Sequence, residues 1–302
     1  MAKEKAKPVR QAKPKASGWR IDPIESGVHR VTLPPALRSD MWVFLSADWH
    51  WDNPKCRLDA LERDLQTAKR LGAMVISAGD HFCAMQGKFD RRSDKQALRP
   101  EHATGSYLDA LVDTAAEFLK PYLGVMGLIT VGNHESSIYA RHETCLTTRL
   151  VERLRAAGSP CRMGGYNGWV QFYACSNKAV GIYRLYYHHG SGGDAPVTQG
   201  LLGMNRVSQY VDADAILSGH IHTKNLSTVV RERLSSNGIR RVSDTHLVRV
   251  STYKDEYQPL VGWHVEQGRG PRPTSSPGYW LHLKMNKDKT RLIPTYHEQP
   301  LE

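Results

Sequence analysis

The sequence has no apolar run longer than the eleven residues from Tyr122 to Gly132, itself interrupted by Thr130. A membrane-crossing helix needs about twenty, so none is expected. Its five cysteines, at 56, 83, 145, 161 and 175, are odd in number and include no C-x-x-C. That argues against a disulfide framework and a structural zinc site, and for a reducing, cytoplasmic setting. The N-terminal segment lacks the apolar core of a secretory signal, and its prolines do not suit a mitochondrial presequence. It is also short of acid. Within residues 1–20 only Glu4 opposes seven Lys and Arg, so this stretch carries six of the net +11 charges. It has almost nothing apolar to bury and is expected to be a disordered basic tail, either solvated or an arm for nucleic acid.

The remainder, 21–302, reads as one domain. Short apolar runs at 42–47, 73–78 and 125–131 each end in a polar motif. Helix-spaced apolar residues fill 56–71 (Leu58, Leu61, Leu65, Ala68) and 106–119 (Leu108, Leu111, Ala115, Phe118), and a third helix is expected over 141–157. Strands are expected at 169–173, 182–187 and 214–217. A strand-rich C-terminal part then gives 226–233, 246–251, 279–283 and 292–296. Short buried strands alternating with helices predict a layered α/β fold.

The polar motifs sit just past the C-terminal ends of those strands, where α/β folds place ligand sites. They are Asp48-Trp-His50, Gly79-Asp80, Gly132-Asn-His-Glu135, His188-His189-Gly190 and Gly219-His-Ile-His222. All offer carboxylate, amide or imidazole, a mixed O/N donor set for divalent transition metals. Singly, a D-x-H or a G-D is weak. The five together, each after an apolar strand, are not a chance pattern.

This series resembles the calcineurin-like metallophosphoesterase superfamily. The resemblance implies a four-layer α/β/β/α sandwich holding two divalent ions, with Mn2+ expected and Fe or Zn2+ also compatible. It implies Asp48, His50 and His222 for the first ion, and Asn133, His220 and one of His188 and His189 for the second. Asp80 would bridge them, its anionic oxygen offsetting the repulsion of two cations about 3.5–4 Å apart. A hydroxide bridging the metals would attack phosphorus. His134 would protonate the leaving oxygen or bind the phosphoryl group, and Glu135 would orient the loop. Adjacent side chains on an extended strand point to opposite faces, so only one of the histidine pair can serve. The family pattern favours His188.

The resemblance implies a phosphoester substrate, and charge narrows it. The Ser/Thr phosphatase marks, G-D-x-x-D-R-G and an Arg before G-N-H-E, are missing. An insertion at about 81–105 carries Lys88, Arg91, Arg92 and Lys95, either a solvated loop or a phosphate-gripping wall. The turn Gly190–Gly193 either offers N–H groups to phosphate or clears space around the metals. A hairpin-like arm over 223–249 holds Lys224, Arg231, Arg233, Arg240, Arg241 and Arg249, suited to DNA or RNA or else a charged edge that resists pairing. Trp263 and Trp280 either stack bases or pack internally. The Gly-, Pro- and Trp-containing last forty residues resemble small phosphoesterases of bacteriophages and prophages. The expectation is a phosphodiesterase or nuclease acting on nucleic acid. A phosphatase or phosphodiesterase for nucleotides or other small phosphoesters is the alternative, and a nucleic-acid-binding protein with a vestigial metal site is the third.

Overall fold

The computed structural model describes residues 18–33, 40–85, 98–176, 179–193, 198, 200–234, 236–255, 276–288 and 291–300. Most of the tail, and Lys88, Arg91, Arg92, Lys95 and Trp263, lie outside the described residues. The chain is already structured at Trp19, which is buried, and Arg20 begins the first strand.

Four-residue strands β4 (Met74–Ser77), β5 (Met126–Ile129) and β9 (Ala215–Ser218) are buried at every position. Such strands must be covered on both faces, and layered sheets do this. A six-stranded sheet takes the order β13-β12-β3-β4-β5-β6. In it β3 (Asp40–Ser46), β4, β5 and β6 (Arg162–Met163) run parallel, while β12 (Tyr279–Met285) and β13 (Leu292–His297) are antiparallel. The seven-stranded sheet has the order β1-β2-β7-β8-β9-β11-β10. It comprises β1 (Arg20–Glu25), β2 (Val28–Thr32), β7 (Asn167–Ser176), β8 (Ala179–His188), β9, β10 (Asn225–Leu234) and β11 (Arg240–Arg249).

One core lies between the sheets, joining Val43, Leu45, Ile76 and Leu128 to Phe172, Leu185, Leu217 and Val248. The outer face of the six-stranded sheet packs on α1 (Leu58–Leu71), α2 (Tyr107–Leu119) and α4 (Leu146–Ala156) through Leu61, Leu65, Leu111, Leu150 and their neighbours. The outer face of the seven-stranded sheet is covered by α5 (Leu201–Tyr210), with Met204 and Val207 against Tyr186, Ile216 and Leu247. Helix, sheet, sheet, helix is the expected four-layer α/β/β/α sandwich.

The helix expected over 141–157 begins later, at Leu146, and a further helix stands before it. Helix α3 (Asn133–His142) starts inside the G-N-H-E motif and ends at Glu143 in the left-handed region; α4 then runs to Ala156. Only Glu135 and Ile138 of α3 are buried, so it has no apolar stripe to betray it. Its first turn is fixed by Glu135, which accepts the Gly132 N–H at 2.9 Å.

Candidate metal centre

Strands β3, β4 and β5 are parallel, as are β8 and β9, so their C-terminal ends open onto one edge of the sandwich. Past those ends the backbone stays zipped: Asp48 N–H donates to Gly79 O (2.9 Å), His50 N–H to Asp80 O (3.0 Å) and Trp51 N–H to His81 O (2.8 Å). The loops then press together. A Cβ on Gly132 would overlap the Asp80 carboxyl, and one on Gly219 the Asp48 carboxyl.

Among the described residues seven non-glycines have positive φ, and five of them are Asp48, His50, Asp80, His220 and His222. Such backbone costs of order 1–3 kcal/mol per residue and persists where surrounding structure enforces it, commonly at functional sites. The strain falls on the sequence-predicted ligands.

Two donor clusters result. In the first, His222 Nε2 lies 3.3 Å from His50 Nε2 and 3.4 Å from Asp48 Oδ1. Asp48 is fully buried, yet its Oδ1 has no hydrogen-bond partner among the described residues. Donors about 2.0–2.2 Å from one cation stand roughly 3.0–3.5 Å apart, so the orphaned oxygen and the two facing nitrogens fit a metal ion. In the second, Asn133 Oδ1 lies 2.7 Å from His220 Nδ1 and 3.0 Å from His189 Nε2, with Asp80 Oδ2 3.2 Å from the same His189 nitrogen. Donor atoms of Asp80, His50 and His134 also lie within 4.8 Å of one another, so Asp80 adjoins both clusters.

The outer ring nitrogens have their own partners. His189 Nδ1–H donates to Ala78 O (2.7 Å), His220 Nε2–H to Gly192 O (3.2 Å), and His50 Nδ1 sits 3.2 Å from Cys83 Sγ. Parking one N–H outward leaves the inner nitrogen as a lone-pair donor, the arrangement of metal-binding imidazoles. Burial, followed by the His134 and His222 rings, holds the His50 pKa well below its ordinary value. Burial opposes charge on Asp80, but the His189 and His134 imidazoles outweigh it and hold that carboxyl well below the usual range.

His188 is the correction. Its ring turns away from the centre: Nδ1 accepts the Gly190 N–H (3.0 Å), and the side chain lines a small cavity with Met204, Val207 and Arg249. The alternation of β8 decides it. Tyr187 points into the core between the sheets and Tyr186 outward against α5, so His188 follows Tyr186 outward and His189 turns inward. His189 is the member of the pair in the cluster.

His134 sits at the rim, its side chain 12% exposed, with His222 at 17%. Asp48, His50, Asp80 and His189 are at most 2% exposed, whereas Asn133 and His220 are half-buried, so the centre opens at its rim over His134, His222, Asn133 and His220. His134 Nδ1–H donates to Cys83 O (2.6 Å), and Nε2 faces Asp80 Oδ2 at 3.8 Å. Glu135 acts as a clamp: its carboxylate accepts the N–H groups of Asp80, Phe82 and Gly132. A second clamp, which the motifs do not contain, is Asp52. It accepts the Cys83 N–H (2.6 Å), the Ala84 N–H (3.0 Å) and the Tyr107 hydroxyl (3.2 Å). Thr252 and Ser251, also absent from the motifs, donate to Asp48 O and His222 O. The Gly190–Gly193 turn points carbonyls inward, Gly190 O accepting the Tyr166 hydroxyl.

The hairpin forms as expected, in ten registered pairs, and part of its charge is paired with acids. Arg231 and Arg233 pair with Asp212, and Arg240 with Glu232. Lys224 reaches Glu298, and Arg249 is fully buried, donating to Thr223 O. Trp280 is buried against Phe44, a packing role.

No family model matches the chain, and no curated protein does. Several solved structures resemble it at low identity. One is Vps29 from Entamoeba histolytica complexed with zinc: 10% identity, TM-score 0.32, covering 85% of this chain and 99% of that one. Another is an uncharacterised protein, described as a predicted phosphoesterase, from Streptococcus pneumoniae TIGR4: 11%, 0.31, 86% and 98%. A third is a metallophosphoesterase from Sphaerobacter thermophilus: 12%, 0.33, 85% and 87%. All three scores are low, and the site is defined by this chain's own residues rather than by the likeness.

Proposed function

We propose that this protein is a metal-dependent phosphoester hydrolase of the calcineurin-like kind, with two adjoining cation sites. The observation that carries the proposal is that the five backbone-strained Asp and His residues fall in two adjoining donor clusters, one of which holds a buried Asp48 oxygen with no hydrogen-bond partner among the described residues. Asp48, His50 and His222 would hold one cation; Asn133, His189 and His220 would hold the other, with Asp80 between. Cations there supply Lewis-acid polarisation of the phosphoryl oxygens and a nucleophile at neutral pH. The donors suit Mn2+, Fe and Zn2+ alike, and availability decides among them. His134, with its Nδ1–H on Cys83 O, would deliver a proton from Nε2 to the leaving oxygen.

A nucleic-acid phosphodiester remains the first substrate reading, supported by the basic composition of the tail and of the stretch holding Lys88, Arg91 and Arg92. The ion pairs that occupy Arg231, Arg233 and Arg240 favour the second reading, a nucleotide or other small phosphoester. Metal-loaded protein incubated with single- and double-stranded DNA, RNA, a bis-aryl phosphodiester and an aryl phosphomonoester separates them. Nucleic acid left intact while the small esters are cleaved would remove the nuclease reading. Asp80→Asn and His134→Ala controls should abolish turnover, and no hydrolysis of any substrate by the metal-loaded protein would sink the proposal itself.

A further inference from the structure

One residue touches the outer nitrogen of both a candidate metal ligand and the candidate proton donor. Cys83 Sγ lies 3.2 Å from His50 Nδ1, and Cys83 O lies 2.6 Å from His134 Nδ1. The residue is 3% exposed and its own placement is over-determined. Its N–H is held by Asp52 Oδ1 at 2.6 Å, and Asn53 Nδ2 donates to its sulfur at 3.3 Å. The next residue, Ala84, has positive φ and is also tied to Asp52.

The tautomer of His50 follows from this contact once Nε2 is taken as a metal ligand. A neutral imidazole carries one N–H. If the Cys83 thiol donated to Nδ1, the proton of His50 would sit on Nε2, the nitrogen that faces His222 and Asp48. Nε2 is free to bind a cation only when Nδ1 carries the proton and the sulfur accepts it. The sulfur already accepts from Asn53, so it serves as the acceptor for two N–H donors. A backbone carbonyl plays the same part for His189 and, at its Nε2, for His220.

We infer that Cys83 is a positioning residue that sets His50 for metal binding through its sulfur and His134 for proton transfer through its carbonyl oxygen. This rests on the metal-centre reading above and adds to it a residue outside the five motifs. The two functions separate chemically, because a side-chain substitution removes the sulfur and leaves the carbonyl. Losing an outer partner of a metal-bound histidine typically weakens metal binding 10–100-fold.

The test is Mn2+ titration by calorimetry of the full chain, wild type beside Cys83→Ala, Cys83→Val and Cys83→Ser. Valine fills the space without an acceptor, and serine restores an acceptor. The expected result is an Mn2+ Kd raised roughly 10–100-fold in the Ala and Val variants and recovered in large part by Ser. At saturating Mn2+ the pH profile of kcat should keep its wild-type shape in all three, since the His134 contact is untouched. An unchanged Kd in both Ala and Val overturns the inference. So does a serine variant as weak as alanine. If Cys83→Ala fails to fold, the Val and Ser pair decides. Wild-type protein that binds no Mn2+, Fe2+ or Zn2+ would instead remove the metal-centre reading.

Discussion

Glu135 reaches across the centre to the backbone of Asp80: Oε2 accepts the Asp80 N–H at 3.1 Å while also accepting that of Gly132 at 2.9 Å. The carboxylate therefore joins the loop after β4 to the start of α3. Glu135→Ala leaves three buried N–H groups without acceptors, at about 1–3 kcal/mol each. A loss of at least about 3 kcal/mol in urea-unfolding stability is expected, together with reduced metal occupancy. Glu135→Gln keeps one acceptor oxygen and should fall between the two. A variant as stable and as metal-rich as wild type would show that the clamp is idle.

Gly132 lies so close to Asp80 that no side chain fits between them. Its φ is −106°, ordinary for any residue, so collision alone makes glycine necessary. Gly132→Ala should cost about 1–3 kcal/mol and lower the metal content, because the displaced group is the Asp80 carboxyl. Stoichiometry by elemental analysis and a chemical melt check both parts.

His188 and His189 are neighbours with different surroundings, one beside α5 and one beside Asn133. Metal stoichiometry should fall in His189→Ala and stay at the wild-type value in His188→Ala. The reverse result would mean that the loop after β8 rearranges on binding.

Tyr183 and Tyr296 share a 2.6 Å hydrogen bond between hydroxyls, one from each sheet. Burial raises both phenolic pKa values, and the partner ring raises that of Tyr183 further. The unfolded chain ionises near pH 10 while the folded pair keeps its protons. Stability from this pair is therefore complete below about pH 10 and declines above it, by up to about 1.4 kcal/mol per pH unit for each tyrosine. Urea midpoints between pH 9 and 11.5 should fall less steeply in Tyr183→Phe than in wild type.

Much of the centre was legible because its donors follow short apolar strands, which the sequence displays plainly. The choice within the His188–His189 pair was not, because β8 buries Tyr186 and Tyr187 on opposite faces. With both faces apolar, the residue pattern does not say which is inner. Helix α3 escaped because it is organised by Glu135 rather than by an apolar stripe. Asp52 and Cys83 escaped for a similar reason: their importance lies in a contact between groups 31 residues apart in sequence, the Cys83 backbone N–H and the Asp52 side-chain Oδ1. The charge of the hairpin was visible, but the pairing of Arg231, Arg233 and Arg240 with Asp212 and Glu232 depends on which segments lie side by side.

Each donor cluster draws on both sheets. Asp48 and His50 extend from the six-stranded sheet and His222 from the seven-stranded one; Asp80 and Asn133 come from the first, His189 and His220 from the second. A cation in either place would rivet the two halves of the sandwich along an edge otherwise closed by loops. Chelation would then do more than stop chemistry: amide hydrogen exchange should quicken at the exits of β3, β4 and β9 and leave the middle of the sheets unchanged. The ions would be as much part of the architecture as of the reaction.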